Sequence, residues 1–343
     1  MIMNKIKFWF DNSRTVSVPQ SLLPTITAIL FCLGNEHFVG WLALPVILGV
    51  CFAHLGMNLA DDYFDYKQDS RSRKEVCSES VRARMDKCHY LHDGKASVDE
   101  LRKAIAAFLG IAALMGAICI AVQWAVNGIN ATFGIILYAL LGLFVGISYS
   151  GFPLRLCYHG LGELTIGLMF GPLLMLGTQA ALTGTLFSMR MLCLSIAVGC
   201  LVVNILYVHS VMEVGADAAL DKMTFARLIG NKKGMIAFVG IFALLPFALL
   251  ALGVAMGWWS VWCLLTLLTL PMSIYLIYSM WLFVNDKPRN DTPRWWMGPM
   301  GDWEKYKEIK MDWFLFRWLL ARNICTLFCL VLCLVEAVCR IFQ

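Results

Sequence analysis

Nine long apolar segments govern what this chain can fold into. They run roughly over residues 16–33, 41–60, 104–126, 131–149, 161–182, 191–212, 235–256, 258–284 and 313–339. A helix crossing a bilayer needs about 20 predominantly apolar residues. None of the nine alternates apolar and polar residues with period two, as a membrane β-barrel requires. The expected fold class is all-α: a polytopic membrane helical bundle of about nine transmembrane helices. Composition agrees, with 59% of the 343 residues apolar and 15% charged, against about 45–50% and 25% in soluble domains. A soluble enzyme and a disordered regulator are excluded. The lipid bilayer is the expected surrounding, and no nucleic-acid partner is expected. Most of the 13 cysteines lie inside apolar runs, where a thiol packs as a small hydrophobe, so no disulfide framework is expected. Asp11 and Arg14 interrupt the N-terminus, which does not read as a signal peptide.

The basic residues cluster in alternate connections. Lys67, Arg71, Arg73, Lys74, Arg82, Arg84, Lys87 and Lys95 follow the second segment. Lys222, Arg227, Lys232 and Lys233 follow the sixth; Lys287, Arg289, Arg294, Lys305, Lys307 and Lys310 follow the eighth. The positive-inside rule places these connections and the N-terminus in the cytoplasm. The expectation is a multi-pass inner or cell membrane protein with its active site toward the cytoplasm. It reads as one membrane domain over 1–343, with a cytoplasmic loop insertion at 70–93 and a cytoplasmic loop at 285–312.

Two of the apolar segments run into carboxylates, and acidic residues at the end of a membrane span usually mark a site. The second ends G-M-N-L-A-D-D-Y-F-D-Y-K-Q-D. On a helix, His54, Asn58, Asp62, Asp65 and Asp69 fall within about 80° of one another, with Asp61 beside them. Carboxylates on one stripe repel unless a cation neutralises them, and oxygen ligands suit Mg2+, which binds through one or two carboxylates plus substrate phosphates. The sixth ends H-S-V-M-E-V-G-A-D-A-A-L-D-K, with His209, Glu213, Asp217 and Asp221 at successive i, i+4 steps. A second stripe implies a second Mg2+, and two such ions suit a diphosphate. The alternative at each stripe is a solvated helix end. His54 and His209 continue the stripes inward by one turn. Either imidazole could meet a substrate hydroxyl or simply pair with a neighbouring helix. Between the fourth and fifth segments lies Y-S-G-F-P-L-R-L-C-Y-H-G-L-G-E. There Arg155 suits phosphate oxygens, and Tyr149 offers a π face for a cation; an interfacial tyrosine and a topology arginine are the plainer reading. In the 70–93 loop, Cys77, Cys88, His89 and His92 could bind zinc, although a C-x2–4-C pair is usual in structural sites. The plainer reading is a mobile basic lid.

Together these residues resemble the UbiA superfamily of intramembrane prenyltransferases, most nearly its MenA branch, the 1,4-dihydroxy-2-naphthoate prenyltransferases. D-D-Y-F-D-Y-K-Q-D is similar to the first aspartate motif, N-D-x-x-D-x-x-x-D, with Asp61 where Asn is usual. R-T-V-S-V-P-Q-S-L-L-P, N-L-A-D-D-Y-F-D, Y-S-G-F-P-L-R-L…G-L-G-E…F-G-P-L and D-K-M-T-F-A-R-L-I-G resemble further stretches of that branch, and the likeness covers most of residues 14–284. The second motif, D-x-x-x-D in the family, is here Glu213-x-x-x-Asp217, with His209, Ser210 and Met212 where two Asn and an Arg are usual. The resemblance implies Mg2+-dependent transfer of a polyprenyl group from its diphosphate to an aromatic acceptor, dihydroxynaphthoate first, in menaquinone biosynthesis. It implies one Mg2+ on Asp62, Asp65 and Asp69, supported by Asn58, and another on Glu213 and Asp217. Arg155 and Lys222 would contact the diphosphate. Tyr149 would serve the cationic intermediate, and His54 and His209 the acceptor. The rival readings are a paralogue using 4-hydroxybenzoate, haem or a chlorin, and a cation-coupled transporter.

Overall fold

The computed structural model describes residues 2–68, 88–219 and 222–342. Among these, nine helical segments are long and apolar enough to cross a membrane. Spans 1 to 9 are Thr15–Cys32, Gly40–Lys67, Val98–Asn127, Ile129–Ser150, Gly162–Thr183, Met189–Met212, Lys232–Ala255, Val261–Val284 and Asp312–Ile341. Among the described residues, β structure is confined to one bridge between His159 and Met223.

Two spans outrun their apolar segments, for reasons written in polar residues. In span 2 the helix continues over Ala43–Gln68, carrying Asp61, Asp62 and Asp65 in helical backbone. Span 3 starts at Val98, because Ser97 and Glu100 form a capping box: the Ser97 hydroxyl accepts from the Glu100 amide and the Glu100 carboxylate from the Ser97 amide. That reciprocal pair satisfies donors that would otherwise be orphaned. Span 5 is interrupted at Met169–Leu173 by a π turn containing Pro172. Proline lacks the N–H that an α-helix needs there.

The chain divides into two compact units. The first comprises Met1–Leu156 and Pro172–Leu192, the second Cys157–Gly171 and Cys193–Gln343. In the first, the N-terminal helix Ile2–Asn12 lays Phe8, Trp9 and Phe10 against a core of Leu55, Leu59, Leu101 and Phe108. Tyr90 and Leu91, from the short helix His89–His92, complete that core. Residues 88–93, the end of the loop insertion, are thus docked; residues 69–87, Asp69 and Cys77 among them, lie outside the described residues, as does Asp221.

In the second unit, spans 5 and 6 meet through glycines. A Cβ on Gly171 would stand 2.4 Å from the Ser195 carbonyl oxygen, and one on Gly199 would stand 2.7 Å from that of Gly167. Small residues spaced by four let membrane helices approach this closely. The 285–312 loop is tied down as well. Arg317, fully buried in span 9, forks onto Asp291 with bonds of 2.8 and 3.1 Å. Asn323 donates to the carbonyls of Met297 and Pro299, each at 2.9 Å.

Candidate active site

The acidic end of span 2 is held by a set of charged and polar partners. Asp62 is fully buried and Asp65 nearly so. Arg14, immediately before span 1, donates through Nη2 to Asp62 Oδ1 at 3.0 Å and through Nη1 to Asp61 Oδ2 at 3.3 Å. It also donates to the Asn58 carbonyl. Burial alone would lower the Arg14 pKa, but the carboxylates of Asp62 and Asp61 outweigh it and the pKa is raised. The Tyr90 hydroxyl donates to Asp62 Oδ2 at 3.1 Å, and the Cys88 thiol points at the Asp62 carbonyl at 3.5 Å. Burial, and then the Asp62 charge, push the Tyr90 phenol up, so it stays a donor. Ser150, at the end of span 4 beside Tyr149, donates to Asp61 Oδ1.

The Asn58 amide donates to the Ser13 carbonyl at 3.0 Å. Both ring nitrogens of His54 face serine hydroxyls of span 1, Ser21 at 2.8 Å and Ser17 at 3.1 Å. The neighbouring-helix role open for this histidine is therefore filled, and an acceptor contact would have to displace one of those hydroxyls. Arg155 is exposed and has a left-handed backbone, with φ of 48°. His89 packs edge-on to Tyr90, and His92 lies over Tyr66. Among the described residues, no three His, Cys, Asp or Glu side chains converge as a metal cage.

In the second unit, span 6 keeps its helical bonding past its apolar end. The Glu213 amide donates to the His209 carbonyl at 3.0 Å, and the Asp217 amide to the Glu213 carbonyl at 2.9 Å. Both carboxylates are buried. The His209 ring stands edge-on to Phe314, 4.9 Å between centroids. The Lys222 amide returns to the Asp217 carbonyl at 2.9 Å, and its ammonium lies 5.7 Å from the Tyr158 ring centroid. Glu163 is the residue that orders this region. Its two carboxylate oxygens accept from the Phe225 amide at 3.1 and 3.2 Å, and Ser210 bonds the same carboxylate. The Gly160 amide donates to the Met223 carbonyl at 2.9 Å. Arg227 closes the turn on the carbonyls of Lys222 and Asp217, at 2.7 and 3.3 Å.

The donor set fits a magnesium ion. Asp62 with Asp65, and Glu213 with Asp217, are each a pair of buried carboxylates, and Mg2+ takes one or two carboxylates and completes its shell with water and phosphate oxygens.

Residues 21–298 match the profile of the UbiA prenyltransferase family. The chain belongs to the UbiA prenyltransferase family. As a UbiA prenyltransferase it is an enzyme, and an integral multi-pass membrane protein. The 1,4-dihydroxy-2-naphthoate octaprenyltransferase of Mycobacterium tuberculosis is 23% identical over 78% of this chain and 83% of that protein. The Haemophilus influenzae protein of the same name is 22% identical over 85% and 91%. A UbiA homolog from Archaeoglobus fulgidus, solved bound to GPP and Mg2+, shares the fold: TM-score 0.56 at 14% identity, over 92% of this chain and 99% of that one.

Proposed function

We propose that this UbiA prenyltransferase transfers a polyprenyl group from its diphosphate to an aromatic acceptor, 1,4-dihydroxy-2-naphthoate, in menaquinone biosynthesis, with its site opening to the cytoplasm. The observation that carries the reading is the placement of four buried carboxylates, Asp62, Asp65, Glu213 and Asp217, at the ends of two spans. Buried charges of one sign need cations. The names of the M. tuberculosis and H. influenzae relatives and the GPP and Mg2+ of the A. fulgidus structure support the choice of acceptor class, donor and metal.

Asp62 and Asp65, with Asp69, would hold one Mg2+, supported by Asn58; Glu213 and Asp217 would hold another. The chemistry such ions would supply is an offset to the charge that develops on the departing diphosphate. Arg155 and Lys222 add hydrogen bonds to its oxygens. The Tyr149 ring offers its π face to the allylic cation left when the C–O bond breaks. The electron-rich acceptor ring then attacks that cation, forming the new C–C bond and losing a proton. His209 takes or directs an acceptor proton, and His54 does so only by giving up a serine partner. The membrane setting suits a donor chain and product too apolar for water.

The test is a membrane assay with farnesyl diphosphate, Mg2+ and a panel of aromatic acceptors, read by mass spectrometry. Prenylated dihydroxynaphthoate, abolished by EDTA, is the expected product. Prenylation of 4-hydroxybenzoate or a tetrapyrrole instead would overturn the acceptor, and full activity in EDTA would overturn the metal.

A further inference from the structure

Position 61 is where the resembled motif has asparagine and this chain has aspartate. The exchange adds a negative charge to a helix end already carrying Asp62 and Asp65. Both oxygens of Asp61 are committed: Oδ2 accepts from Arg14 and Oδ1 from Ser150. The same guanidinium reaches Asp62 Oδ1. Its backbone is left-handed, with φ of 61°, a conformation costly for a residue with a Cβ. The Arg14 Nε–H is buried and has no acceptor among the described residues, so the group is held through its two outer nitrogens alone. A guanidinium fork can span two carboxylates in this way, and an asparagine at position 61 would remove the charge on one side of it.

We propose that Arg14 and Asp61 form a compensating pair that sets how strongly the acidic end of span 2 takes a divalent cation. This rests on the reading that Asp62 and Asp65 hold Mg2+. Asp61 retains part of the guanidinium's charge. Without Asp61 the guanidinium keeps Asp62 as its one carboxylate partner, beside the Asn58 carbonyl, and competes there with the incoming cation. Without Arg14 the carboxylates lose their competitor. Asp61 is therefore a positioning residue that acts through Arg14, and it is not itself a ligand.

The experiment is an Mn2+ titration of the purified full-length protein in detergent, read by electron paramagnetic resonance of the free ion. Wild type is compared with D61N, R14Q, R14Q/D61N and D62A, each checked for monodispersity. Neighbouring charges couple by about 0.5–3 kcal/mol, a factor of roughly 2–150. D61N should weaken Mn2+ binding about 10-fold in wild type and no more than about 3-fold in the R14Q background, while R14Q alone tightens it. Equal weakening in both backgrounds, or none in either, overturns the pair and leaves the metal reading intact. Undiminished Mn2+ binding by D62A overturns the metal reading and the pair with it. If R14Q does not purify, R14K takes its place. A single ammonium cannot bridge both carboxylates, so D61N should cost less in R14K than in wild type, and equal cost again overturns the proposal.

Discussion

The hydroxyl of Tyr90 donates to Asp62 Oδ2 at 3.1 Å, across 28 residues of sequence. A hydrogen bond to a charged group contributes about 1.5–3 kcal/mol. Tyr90→Phe keeps the ring, which packs edge-on against Phe8 and Trp9, and removes only the donor. The expected outcome is a folded protein whose kcat/KM for prenyl diphosphate falls roughly 10- to 100-fold, with a rise in the Mg2+ concentration needed for half activity. A Tyr90→Phe enzyme with unchanged Mg2+ dependence would show that the bond serves packing alone.

Asp62→Ala and Asp65→Ala should each abolish prenyl transfer while leaving the protein in the membrane. Chelation of divalent metal should have the same effect on wild type. Activity and membrane content measured on the same preparations decide it.

Glu163→Ala should unfasten the turn that carries Lys222. The Phe225 amide and Ser210 lose a shared buried acceptor, and an unsatisfied buried donor costs about 1–3 kcal/mol. Limited proteolysis should open a new cut within 222–230. The KM for prenyl diphosphate should rise more than kcat falls, and Glu163→Gln should recover part of the loss. A proportionate fall in kcat with KM unchanged would argue against a role in holding Lys222.

Arg317 and Asp291 offer a test of stability. Removing one partner of a buried ion pair costs about 3–5 kcal/mol. Asp291→Ala should therefore lower Tm in detergent clearly, whereas Lys232→Ala, whose partner Asp286 is exposed, should leave it nearly unchanged.

Orientation is tested with cysteines placed at Lys95 and Met256, both exposed. An impermeant thiol reagent applied to intact cells should label position 256 and spare position 95. The reverse pattern would invert the topology.

The nine spans were legible because each is a long apolar run, and the acidic stripe of span 2 because its members lie on one helix face. Asp62 and Asp65 needed only period 3.6 to be placed together, and Glu213 and Asp217 only an i, i+4 step. Arg14 and Tyr90 were not legible as partners of Asp62. They stand 48 and 28 residues away, and no periodicity links separate helices. Glu163 sat inside a recognised G-L-G-E stretch, but its partner, a backbone amide 62 residues on, has no signature of its own. The histidines show the same limit from the other side. Spacing put His54 and His209 in equivalent positions, whereas the structure gives one two serine hydroxyls and the other a phenylalanine edge.

The order of Arg14 and Asp62 along the chain bears on how the protein is made. A helix ending in carboxylates is a poor substrate for insertion into a bilayer. Synthesis from the N-terminus delivers the guanidinium of Arg14 to the membrane surface ahead of span 1, before Asp61 and Asp62 have been translated. When span 2 follows, its acidic end meets a counter-charge already in place. One guanidinium against Asp61 and Asp62 offsets part of the charge of the first hairpin, and Asp65 is left to be neutralised from elsewhere.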